Sequence, residues 1–345
     1  MPDVFLVVFG AVLGLIFGSF GTVVAYRVPR KENIASGRSK CPSCGRTITA
    51  VENIPVFSYL FLRAKCRGCG ARISPRYPLV ELATAILFAL TFLKFDFTLE
   101  AFVYSLFFWV LVVLSVIDLD TKRLPDVITG PALVLGWIGL AAISILRDAW
   151  GSFSWIAIAG GVAATAIAFL SFDLRKRPKE EPALEKDDAT ESERDVAAPA
   201  KAKPQRATTL NPFGALLLGL WLVLFIASFF HGTRFYIAGA ASGAAVFAGF
   251  FFSMVVLYER GMGLGDAKLG LLLGSFTGFL GSPDLVVVSL FLAFVLGGVG
   301  GGVHLALGGS RKDPIPFGPF LALGAAISIF VGQDLVDAYN SLLGG

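Results

Sequence analysis

Four cysteines fall as two matched pairs, Cys41-x2-Cys44 and Cys66-x2-Cys69, with 21 residues between the pairs. Each pair opens the same pattern: Cys41-Pro-Ser-Cys44-Gly45-Arg-Thr-Ile48 and Cys66-Arg-Gly-Cys69-Gly70-Ala-Arg-Ile73. Thiolates in this arrangement form a tetrahedral metal-ligand set, whose pairs commonly stand ~15–20 residues apart, so the spacing is at the upper edge. The glycine after each second cysteine permits the tight turn that closes a knuckle. A dithiol redox centre needs one such motif rather than two. Four protein thiolates leave no position for water or substrate, so the expected metal is one structural Zn2+ per chain, held by Cys41, Cys44, Cys66 and Cys69.

The second group with chemistry is acidic. One stretch reads Ser115-Val-Ile-Asp118-Leu-Asp120-Thr-Lys-Arg-Leu-Pro125-Asp126, the other Gly261-Met-Gly263-Leu-Gly265-Asp266-Ala-Lys268. Asp118 and Asp266 stand 148 residues apart. Two carboxylates that share a site can share a proton, one acting as general base on water and the other as acid toward the leaving amine. Glycines ahead of Asp266 let backbone approach a substrate. The competing reading is plainer: Asp266 as a cap on the helix that follows, and Asp118, Asp120 and Asp126 as a solvated helix end beside Lys122 and Arg123.

The elements that position these groups are membrane helices. Of 345 residues 55% are hydrophobic and 16% charged, with 32 Phe and 39 Gly, and the mean hydropathy is +0.74. A soluble domain carries about a quarter charged residues, so the composition excludes a soluble enzyme and points to a multi-span membrane protein. Ten apolar segments follow one another, at roughly 4–26, 78–95, 99–117, 127–146, 151–172, 210–230, 235–257, 267–282, 285–307 and 315–334. They are apolar on all sides rather than alternating, which favours helices over strands. The first lacks the basic leading region of a cleaved signal peptide; its first cation, Arg27, follows the span.

Charge placement sets the expected topology. With the N-terminus outside, 26 of the 29 Lys and Arg fall in the inside segments 27–77, 118–126, 173–209, 258–268 and 308–314, leaving Lys94, Arg147 and Arg234 outside. Both Asp118 and Asp266 then lie at the cytosolic face. So do the cysteines, which disfavours disulfides because that compartment is reducing. The segment 173–209 is expected to be a disordered linker: from Arg175 to Thr209 it mixes nine basic and eight acidic residues with four Pro and no aromatic residue. Arg175-Lys176-Arg177 at its start reads as a stop-transfer anchor. Small residues at four-residue spacing (Gly10, Gly14 and Gly18; Gly239 and Gly243; Gly298 and Gly302) are expected to line helix-packing faces. The Phe250-Phe251-Phe252 run reads as lipid-facing or packing filler.

These blocks resemble the type IV prepilin peptidases, membrane aspartic proteases of the Gly-x-Gly-Asp group. The resemblance runs through Gly18-Ser19-Phe20, Tyr26-Arg27-Val28-Pro29, the first knuckle, Glu52-Asn53-Ile54-Pro55, Ser58-Tyr59-Leu60 and Arg76-Tyr77-Pro78-Leu79-Val80-Glu81-Leu82. It continues in Ile117-Asp118-Leu119-Asp120, Leu124-Pro125-Asp126, Gly263-Leu264-Gly265-Asp266 and Pro314-Ile315-Pro316-Phe317-Gly318-Pro319. It implies that Asp118 and Asp266 are the catalytic pair and that the substrates are prepilins or type II secretion pseudopilins, cleaved after a Gly. Members with the four-Cys domain typically also methylate the new N-terminus from S-adenosylmethionine, though no residue of the methyl-donor site is identifiable here. The resemblance also implies a multi-pass protein of the bacterial inner membrane, in contact with lipid and not with nucleic acid.

The expected architecture is therefore an all-α polytopic membrane protein of about ten transmembrane helices with a small zinc-ribbon-like domain. Its parts are a first helix (1–26), the four-Cys domain (27–77), helices with the first Asp (78–149), an extra helix pair around the linker 173–209 (150–232) and helices with the Gly-x-Gly-Asp motif (233–345). Family members typically have eight spans, and a two-span insertion keeps Asp266 on the same side. A scaffold or transporter with a zinc-ribbon loop is the alternative.

Overall fold

A computed structural model describes residues 3–35, 37–147, 236–257, 264–280, 283–310, 313 and 315–342. The expected spans 151–172 and 210–230, the linker 173–209 and the cluster Arg175-Lys176-Arg177 lie outside the described residues. The described chain is helical, with two isolated bridges in place of strands. Its helices are α1 (Asp3–Arg27), α2 (Phe57–Phe61), α3 (Arg76–Phe95), α4 (Leu99–Thr121), α5 (Asp126–Leu146), α6 (Tyr236–Leu257), α7 (Leu264–Phe279), α8 (Pro283–Ala306) and α9 (Gly318–Leu342). Six are long and apolar enough to cross a membrane: α1, α3, α4, α5, α8 and α9. In α6 the apolar stretch is the shorter Gly239–Phe251, and α7 is 16 residues long. The expectation of ten spans is thus supported for six helices.

Helix limits follow local chemistry. α4 does not stop at residue 117, where the apolar run ends; it continues to Thr121 and closes with Lys122 in the left-handed region (φ 52), whose N–H donates to the Asp118 carbonyl. Pro125 then forces extended backbone before α5 begins at Asp126.

Glycine sets the closest packing. A Cβ on Gly10, Gly14 or Gly18 of α1 would come within 2.8, 2.6 and 2.7 Å of the Phe88 carbonyl oxygen, the Ala85 Cα and the Glu81 Cα of α3. In α6, Gly239 and Gly243 lie against the backbone of Gly274 and Gly278 of α7. The third face differs from expectation. Among the described residues nothing lies within 4 Å of the positions a Cβ would take on Gly298 or Gly302; Gly297 and Gly300 instead receive the rings of Phe317 and Phe320. Small residues at a four-residue spacing permit close approach without supplying a partner, and in α8 the partner meets the neighbouring face. Phe251 is buried and Phe250 packs edge-on against Phe294, so these two rings pack against neighbouring helices.

The core joins the helices that carry the two aspartates. Phe107 of α4 stacks on Phe276 of α7 with ring centroids 4.1 Å apart, and the buried Tyr104 hydroxyl donates to the Phe276 carbonyl at 2.9 Å. A satisfied polar tip inside an aromatic cluster fixes register as well as area. Trp109 Nε1 donates to the Phe17 carbonyl at 2.7 Å, tying α4 to α1.

Candidate active site and metal centre

The two cysteine pairs fold alike. In the first, Cys41 N–H donates to the Arg46 carbonyl, Gly45 N–H to the Cys41 carbonyl and Ile48 N–H to the Ser39 carbonyl. In the second the same bonds run from Cys66 to Ala71, Gly70 to Cys66 and Ile73 to Ala64. Lys40 bridges Thr47 as Lys65 bridges Arg72. Gly45 and Gly70 adopt φ of 70° and 69°, the left-handed turn each motif requires. The four sulfurs lie within 4.8 Å of one another, with Cys41 and Cys69 3.9 Å apart, and none is in a disulfide. Four thiolates bound at about 2.3 Å to one tetrahedral centre stand ~3.8 Å apart, so the set fits a metal ion of that size.

The acidity of the sulfurs is uneven. Hydrogen bonds from the backbone N–H groups of Cys44 and Ser43 draw the Cys41 thiol down to about 6. The Ala71 N–H favours a thiolate at Cys69, but the Cys44 sulfur, burial and the Cys66 and Cys41 sulfurs outweigh it and push that thiol up to about 11. Four sulfurs this close cannot all ionise without a compensating cation. Glu52 joins the two knuckles, pairing with Arg46 at 2.9 Å from the first and facing Arg67 of the second at 3.9 Å. Its carboxyl is held below the usual range by the Thr49 N–H first and Arg46 next, in a reciprocal Thr49–Glu52 cap on the 3-10 turn Val51–Asn53.

Asp118 sits in the last turn of α4 and is 5% exposed. Its Oδ2 accepts the backbone N–H of Gly318, the first residue of α9, at 2.9 Å. A Cβ on Gly318 would stand 2.7 Å from that oxygen, so this contact needs glycine. Asp120, two residues on, is half exposed and turns elsewhere: Arg76 Nη1 reaches it at 2.6 Å while Nη2 donates to the Val116 carbonyl at 2.8 Å. Asp126 pairs with Lys268 at 2.6 Å, a lysine only 4% exposed.

Asp266 lies in the first turn of α7, partly buried, at the positive end of the helix dipole. Three contacts bring it to the same end of the bundle as Asp118. Gly265 packs on the Leu124 side chain, Lys268 holds Asp126, and α4 and α7 meet through Phe107 and Phe276. Asp118 is eleven residues from Phe107 and Asp266 ten from Phe276. At 1.5 Å per residue both lie ~15–17 Å from that stack, at one depth.

Gly318, Arg76 and the Lys268–Asp126 pair were not singled out as functional from the sequence. Gly318 and Arg76 stand in blocks quoted for the family resemblance, but Gly318 meets Asp118 across 200 residues and no local spacing signals that. At the opposite end of the bundle, Glu100 of α4 pairs with Arg147 at 2.6 Å.

Comparison with known proteins finds two family matches and several relatives. Residues 12–95 match the bacterial peptidase A24 N-terminal domain, and residues 105–180 match the type IV leader peptidase family. The chain is 29% identical to the prepilin leader peptidase/N-methyltransferase of Pseudomonas aeruginosa over 96% of its length and 92% of the relative's. It is 27% identical to that of Pseudomonas putida over 100% and 97%. With that of Myxococcus xanthus it shares 44% identity over 168 residues, 48% of this chain and 46% of the relative. No solved structure matches the chain. Two adjoining family matches in the expected order, together with full-length similarity to these enzymes, make the chain similar along its length to the type IV leader peptidases.

Proposed function

We propose that this protein is a membrane aspartic endopeptidase that removes the leader of type IV prepilins and type II secretion pseudopilins and then methylates the new N-terminus. The observation that carries the reading is the buried Asp118 carboxylate, held by Gly318 N–H at the depth of Asp266. With one proton between them, the ionised carboxylate takes a proton from water as the water attacks the scissile carbonyl. The protonated carboxyl then gives its proton to the leaving amine, and the C–N bond breaks. Gly318 N–H fixes one oxygen of Asp118 and leaves the other to the reaction. The Lys268–Asp126 pair and the Gly265–Leu124 contact hold the α4–α5 connection against the start of α7, so the two carboxylates keep their spacing.

Cys41, Cys44, Cys66 and Cys69 would hold one structural Zn2+, which supplies a cross-link and leaves no open coordination position. S-adenosylmethionine would be the methyl donor, supplying an electrophilic methyl group. The basic residues gathered on the segments 27–77, 118–126 and 258–268 support an orientation in which this end faces the cytosol of a bacterial inner membrane. A passive scaffold would leave a buried carboxylate such as Asp118 without a role. The test is incubation of the purified, detergent-solubilised protein with a full-length prepilin, read by mass spectrometry. Cleavage after the leader Gly, and addition of one methyl group when S-adenosylmethionine is present, is expected. An inserted, folded protein that leaves the prepilin intact contradicts the reading.

A further inference from the structure

Glu81 is the second buried carboxylate at this end of the bundle, 8% exposed, on α3. Its Oε2 accepts the Val56 N–H at 2.7 Å, and the Ser19 hydroxyl lies near it. Both groups are neutral. Among the described residues no Lys, Arg or His pairs with it, whereas Glu52, Glu100, Asp120 and Asp126 each have a cation within 4 Å. Burying a carboxylate without a counter-charge is costly, and a buried titratable group at a cleft is a candidate for ligand binding. Val56 is held at φ 62, ψ −50, an unfavourable conformation for a β-branched residue, and its N–H thereby points at Glu81. Gly18 lies over the Glu81 Cα, so α1, α3 and the cysteine domain converge on the carboxylate.

Its place relative to the cleavage site is fixed by Arg76. That residue opens α3 and grips Asp120 and the Val116 carbonyl of α4. Asp118 is two residues from Asp120 and Glu81 five from Arg76. At 1.5 Å per residue the two carboxylates lie within about one helical turn of the same depth on neighbouring helices. The amine released by cleavage titrates near neutrality and is largely an ammonium when it forms.

We propose that Glu81 is the amine-binding carboxylate of a methyl-transfer site distinct from Asp118 and Asp266. This rests on the leader-peptidase reading, which supplies the amine. Glu81 pairs with the new N-terminal ammonium and takes one of its protons. The freed nitrogen lone pair attacks the methyl carbon of a sulfonium donor; the N–C bond forms, the C–S bond breaks and its electron pair stays on sulfur as a thioether. The secondary ammonium so formed passes a proton to solvent, and Glu81 returns its own.

The test is Glu81→Gln in the full-length protein. The amide oxygen still accepts the Val56 N–H and the volume is kept, so only the charge is removed. Prepilin cleavage should stay within about twofold of wild type, while methylation of the cleaved product falls about tenfold or more, the worth of one charge-assisted contact. A second readout needs no donor: binding of a synthetic peptide with a free N-terminal Phe against the same peptide N-acetylated. Wild type should prefer the free amine and Glu81→Gln should not. Methylation within about twofold of wild type, an undiminished preference for the free amine, or equal loss of cleavage and methylation would each overturn the proposal. Absence of cleavage by the wild-type protein would instead overturn the leader-peptidase reading.

Discussion

Gly318 has no room for a side chain where Asp118 meets it, so Gly318→Ala must push the carboxylate aside. A displacement of ~1 Å at a reacting group can cost about 100-fold in rate. We expect cleavage to fall by that order with the protein still folded, measured as initial rate on a prepilin. Asp120→Asn breaks a half-exposed pair with Arg76, and such pairs contribute only ~0–1 kcal/mol. Its cleavage rate should stay within about fivefold of wild type; a loss as large as that of Asp118→Asn would show that the assignment within the Asp118-Leu-Asp120 stretch is wrong. At this scale residue type and spacing made the cysteine cluster legible and singled out the aspartates as candidates. They could not reveal Gly318, whose contribution is a backbone N–H, or Glu81, whose partner is a strained backbone 25 residues away.

The knuckles are the best-read elements, because Cys-x-x-Cys-Gly-x-x-Ile dictates local hydrogen bonds and two copies dictate a shared centre. Metal analysis of reduced protein should find about one zinc per chain, and Cys41→Ser or Cys66→Ser should lower it and loosen the domain before affecting Asp118. Glu52 gives that domain an acid-sensitive tie. Its carboxyl is depressed in the native state, so its stabilising effect is complete above the unfolded carboxylate value of ~4.3 and lost as pH falls through the lower native value. Comparing domain melting across that range, Glu52→Gln should show a shallower acid loss than wild type. Helix limits were less legible. The apolar run ending at residue 117 suggested a helix end, yet α4 goes on to Thr121 because intrahelical bonds do not require apolar side chains. Gly10, Gly14 and Gly18 form the packing face expected of them, whereas Gly298 and Gly302 meet no neighbour among the described residues, since periodicity reports a face but not its neighbour.

For the whole molecule, hydropathy announced membrane helices and charge placement gathered the candidate groups on one side, but the mutual depth of α4 and α7 came only from the Phe107–Phe276 stack and Tyr104. Such a long-range register depends on side chains 169 residues apart and leaves no periodic trace. Residues 175–209 contain no aromatic residue and nearly balanced charge, a composition that cannot bury a core. Replacing them by a short linker, with Arg175-Lys176-Arg177 kept, should leave cleavage within about twofold of wild type; loss of activity in a correctly inserted variant would assign the segment a docking role. The central claim, that Asp118 and Asp266 work as one carboxylate pair, is tested most directly by a double-mutant cycle on prepilin cleavage with purified wild type, Asp118→Asn, Asp266→Asn and the double variant. Groups that act as a unit are strongly non-additive, so each single variant should lose about 1,000-fold or more and the double should be no worse than either. Substantial cleavage by either folded single variant, or losses that multiply in the double, would contradict the account.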